Sequence, residues 1–60
     1  MTIIIKDKSD VTLCVVDKPH IPSIGDTIRV NNEITYHKVV DRIFEWDREE
    51  TLDFVFLIVA

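Results

Sequence analysis

Pro19-His20-Ile21-Pro22-Ser23-Ile24-Gly25-Asp26 holds both prolines and the single glycine of this 60-residue chain. On either side lie runs of Ile, Val, Thr, Phe and Tyr with nothing to break the backbone, so the window divides two sheet-forming arms. Pro19 and Pro22 push the residues before them, Lys18 and Ile21, toward extended conformations. Gly25 before Asp26 predicts a tight turn with a positive φ. As the one long and stiffened loop, the window makes His20 and Ile21 candidates for a projecting partner-binding surface.

Upstream, Thr2 to Lys6 is β-branched and apolar, and Asp7, Lys8, Ser9 and Asp10 separate it from a second β-rich run, Val11 to Asp17. That spacing predicts a hairpin. In the second run Val11, Leu13 and Val15 alternate with Thr12, Cys14 and Val16, so both faces are largely apolar, as in a strand inside a closed or covered sheet.

Downstream, Thr27 to Val30 restores the two-residue period with Ile28 and Val30 inward, and Asn31, Asn32 and Glu33 predict a polar turn. Ile34 to Trp46 is the longest element, and its period breaks: Ile34 and Tyr36 share a face, Val39 and Val40 are adjacent, and Arg42, Phe44 and Trp46 then oppose Asp41, Ile43 and Glu45. A bulge between His37 and Val40 reconciles the two phases and lets a short sheet curl. Asp47 to Thr51 reads as a charged hairpin tip and Leu52 to Ala60 as a last strand. These are five short antiparallel strands in a mainly β, single-domain small barrel of SH3-like or OB-like type. The alternative is an α+β fold with one helix within residues 37–50, which its β-branched and aromatic interior disfavours.

A chain of this size buries only about 60% of its unfolded surface and usually needs a staple. One cysteine, Cys14, excludes an internal disulfide, and Cys14, His20 and His37 are too scattered for a zinc site, which leaves self-association. Eleven carboxylates against seven Lys and Arg give a net charge of −4, a field that repels phosphate backbones. Nucleic acid is therefore a disfavoured partner. No stretch is long enough for a signal peptide or a membrane helix, so the expectation is a cytoplasmic protein with a reduced thiol.

No catalytic or cofactor-binding motif is present: one glycine cannot build a P-loop or a dinucleotide fingerprint. Cys14 with His20 or His37 is the one conceivable nucleophile pair, but a lone strand cysteine reads as a small buried hydrophobe. Glu45, Asp47, Glu49, Glu50 and Asp53 lack the spacing of a calcium loop and are interleaved with Arg42 and Arg48, the pattern of a solvated tip. The sharper reading is an acidic surface that docks on a basic partner. Tyr36, Phe44, Phe54 and Phe56 are expected in the core of so small a barrel. Trp46, beside Asp47 and Arg48, is the exception, and Trp46 and Arg48 are candidate partner-binding residues because Trp and Arg are frequent interface anchors. In the last strand Phe54, Phe56 and Ile58 oppose Val55, Leu57 and Val59. One small core cannot cover both faces, so Phe54, Phe56 and Ile58 are candidates for self-association as a homodimer, or the strand pairs with Thr2 to Lys6.

Pro22-Ser-Ile-Gly25-Asp26-Thr-Ile28-Arg-Val30, followed by Tyr36 and Val39 or Val40 and by the apolar run Phe54 to Val59, resembles small β-barrel proteins of bacteria and their phages. These share a P-x-x-G-D-x-I-x-V segment, a Y-x-V and a hydrophobic last strand. Here the step from Tyr36 to Val39 is longer by one than in Y-x-V, in agreement with a bulge. Similar G-D-x-I segments occur in SH3-like phage head-to-tail connector proteins. The resemblance implies a barrel and carries no catalytic residue, because each matching position is a turn or a core position. The expected function is a non-enzymatic protein-binding module, such as a phage or mobile-element accessory or inhibitor that acts by surface occupation. The alternatives are a structural connector-like phage subunit and an OB-type single-strand nucleic-acid binder, the latter opposed by the acidity.

Overall fold

Thr2–Asp7 (β1) and Thr12–Asp17 (β2) form an antiparallel hairpin in the computed structural model, which describes residues 1–30, 33–46 and 53–60. Asp7 organises the turn. Its amide donates to the Val11 carbonyl at 3.0 Å, and its Oδ1 accepts from the amides of Ser9 at 2.8 Å and Val11 at 3.1 Å. Asp10 takes the left-handed conformation, φ 69°, which Asp tolerates better than most residues. The ladder then slips: Ile5 lies opposite Cys14 and Lys6 opposite Thr12, so Leu13 is the extra residue of a bulge. Strict alternation is overturned at this point. Leu13 and Cys14 are adjacent, yet both pack against the core.

Thr27–Arg29 (β3) pairs with the start of Tyr36–Trp46 (β4), and β4 pairs along Asp53–Val59 (β5), both antiparallel. The expected bulge in the long strand is present. Val39 opposes Val59 and Asp41 opposes Ile58, leaving Val40 as the added residue. The Pro/Gly window docks at this spot. The Gly25 amide donates to the Val39 carbonyl and the Val39 amide to the Asp26 carbonyl, each at 2.8 Å.

The sheet order is β2-β1-β5-β4-β3, and β5 lies parallel to β1, from Thr2 beside Phe54 to Asp7 beside Val59. An all-antiparallel barrel is thus corrected to a mixed sheet that curls into a half-barrel. Two hairpin-like arms each leave one strand, β1 and β5, to face the other, and the chain path makes those two run the same way. β2, expected inside a covered sheet, is an end strand. The described residues contain no helix, and Tyr36–Trp46 is strand where the helical alternative began; residues 47–50 of that alternative lie outside the described residues. Among the described residues no helix is long and apolar enough to cross a membrane.

The concave face carries the core: Ile3, Ile5, Val30, Val39, Val55, Leu57 and Val59. All are aliphatic. Burying each such side chain contributes about 1.5–3 kcal/mol. The expected aromatic core is therefore corrected: Tyr36 and Phe44 are exposed, and Phe54 and Phe56 are half-buried on the opposite face, while Trp46, the expected exception, is exposed. Under so tightly curled a sheet the inner layer is narrow, and branched aliphatic side chains fill it. The larger rings lie at the rim or on the convex side.

Candidate interaction surfaces

Beyond its bulge, β4 runs past the end of β3. β3 pairs only with Tyr36 to Lys38, so among the described residues no strand flanks Asp41 to Trp46 on the side away from β5. The Arg42 amide is instead taken by the carboxylate of Asp41 at 2.8 Å. Alternation carries Arg42, Phe44 and Trp46 onto one face, where they form a ladder. The Phe44 and Trp46 rings stack at 5.9 Å and 12°, and the Arg42 guanidinium lies 5.2 Å from the Phe44 centroid. Trp46 is 67% exposed. Arg42 Nε is buried with no hydrogen-bond partner among the described residues.

The convex face holds a second apolar feature. Val15, Ile4, Phe56 and Ile43 are register partners across four adjacent strands, a row spanning β2, β1, β5 and β4. Phe54 meets Phe56 edge to face at 5.2 Å, and Lys6 Nζ sits 4.7 Å over the Phe56 ring. Phe54, Phe56 and Ile58 all belong to this face. Because β5 is paired on both sides, its association with another chain would have to use this face and not its edge.

The third feature is a cleft of 260 Å³ between the end strands β2 and β3, floored by Ile3, Ile5, Val30 and Leu57 and walled by Cys14, Val16, Ile28 and Pro22. Lys18, His20 and Arg29 also line it. The fold thus brings Cys14 and His20 to one cavity. His37 stands elsewhere, with Nε2 3.2 Å from Glu33 Oε2, and Ile21 packs against the core from the window. Among the described residues no group of three His, Cys, Asp or Glu stands close enough to hold a metal ion.

Trp46 was legible as a rim residue from its charged neighbours. Arg42 and Phe44 carry no such signal beyond their two-residue spacing from Trp46; the uncovered edge beside them depends on where β3 stops. Arg48 and the acidic tip residues Asp47, Glu49 and Glu50 lie outside the described residues, as do Asn31 and Asn32 of the polar turn. Comparison with known protein families, curated proteins and solved structures finds no match for this chain.

Proposed function

We propose that this chain is a non-enzymatic, cytoplasmic protein-binding module that occupies a partner's surface with the outer half of β4. The observation that carries this reading is the Arg42-Phe44-Trp46 ladder on a strand edge that no described strand covers. An open edge offers backbone hydrogen bonds to an extended segment, and stacked aromatic and guanidinium groups beside it supply anchors. The net charge of −4 favours a basic partner surface over a nucleic acid. The likeness to small bacterial and phage barrels supports an accessory or inhibitory role in a phage or mobile element. The apolar row on the convex face supports a homodimer with Phe54, Phe56 and Ile58 at its centre.

Capture from a host lysate on the immobilised chain tests the β4 reading. Wild type is expected to retain a partner that Trp46→Ala loses by at least about 10-fold, the size of a modest hot spot. Equal recovery by wild type, Trp46→Ala and the Arg42→Ala/Trp46→Ala double variant would remove this edge as the binding surface.

A further inference from the structure

We propose that the cleft between β2 and β3 binds a small apolar carboxylic acid, its hydrocarbon body against Ile3, Ile5 and Leu57 and its carboxylate at Lys18 and His20. The cleft exists because the half-barrel stops short of closure: β2 and β3 are the two ends of the sheet, and the Pro/Gly window supplies a wall where a sixth strand would stand. Its lining is mainly hydrocarbon, and apolar surface that a ligand shields from water favours binding.

Charge selects the head group. In a chain with eleven carboxylates and seven Lys and Arg, the cleft is lined by Lys18, His20 and Arg29 and by no Asp or Glu. Arg29 sits directly across from Tyr36 and turns its guanidinium toward that ring, 5.9 Å from the centroid. Its strand neighbour Ile28 packs against the core, so alternation carries the Arg29 side chain to the opposite face. Lys18 and His20, which flank Pro19 at the mouth, are the groups left for an anion.

Size selects the body. At 260 Å³ the cleft lies just below the range usual for ligand pockets, about 300–1,000 Å³, which fits an acid of about eight carbons. His20 and Pro22 of the window close one side, and a cleft of this volume takes a side-chain-sized body and not an inserted peptide strand.

Cys14, the single thiol, lines the cleft and reports on it. The alkylation rate of the intact chain by N-ethylmaleimide is to be measured with octanoate, octanol and octylammonium, with glutathione as the reference thiol. Octanoate is expected to slow Cys14 about 10-fold at saturation, and octylammonium to leave it unchanged. In Lys18→Gln/His20→Gln, folded by circular dichroism, half-protection is expected to need about 5-fold more octanoate, the effect of losing partly solvated charge contacts. Equal protection by all three compounds, or by none, overturns the proposal. So does protection that grows with protein concentration alone, which would assign the cleft to a second copy of the chain.

Discussion

At Gly25 the backbone holds φ +96°, and a Cβ built there meets nothing within 4 Å. Space is not the constraint at this position; conformation is. A side chain in this region costs about 1–2 kcal/mol, against a total of about 3–9 kcal/mol expected for 60 residues. Gly25→Ala is therefore expected to lower the unfolding free energy by that amount, read as a lower urea midpoint with an unchanged slope; a midpoint equal to wild type would show that the turn relaxes without loss. The turn is worth this conformation because of what it holds. Asp26 Oδ2 accepts from the Ser23 amide at 2.8 Å, and the Asp26 amide donates to the Ser23 carbonyl at 3.0 Å, which aims Gly25 and Asp26 at the two backbone groups of Val39. By contrast, the exposed Lys6–Asp10 pair at 2.9 Å contributes little in water.

At the scale of an element, β4 shows how a single residue sets the faces of a strand. Val40 is added between Val39, which faces the core, and Asp41, which sits on the convex side with Ile58. Deleting Val40 would restore regular alternation and keep Arg42, Phe44 and Trp46 on their face, but it would straighten the strand where the Pro/Gly window docks. The expected result is a chain that still unfolds cooperatively with strand-type circular dichroism, destabilised by about 1–2 kcal/mol in urea. Loss of all structure would mean that the bulge fixes the register as well as the bend. The bulge was legible because Val39 and Val40 break a two-residue period in an otherwise regular run. The bulge at Leu13 was not, because Val11 to Val16 is apolar in either phase and no mismatch marks the slip. The parallel pairing of β1 with β5 was also hidden: local turns dictate neighbours within each arm, but not which strand of one arm meets the other. The same limit applies to the sites. Trp46 carried its own signal, whereas the β2–β3 cleft arises only from how far the sheet closes.

For the whole molecule, the uncovered row Val15, Ile4, Phe56 and Ile43 is the feature that a second copy would bury. Val15 is 59% exposed and Ile43 42%, so either can be charged without opening the core. Sedimentation at micromolar concentration is expected to give a dimer for wild type and a monomer for Val15→Lys/Ile43→Lys, the variant keeping its strand spectrum. A clean wild-type monomer would end the dimer reading.

The junction of β1 with β5 also governs how the chain reaches this structure. Ile3 and Ile5 belong to β1, and Val55, Leu57 and Val59, which complete their burial, to β5, some fifty residues further along the chain. The β1–β2 hairpin can form in microseconds, but the burial of Ile3 and Ile5 is completed only when β5 lies beside it. Closing so long a stretch of chain comes before any reward in contacts, which places this protein among slow, high-contact-order folders despite its size. An apolar β1 thus stays without its partner for as long as β5 is absent, and the two strands lose their exposure together.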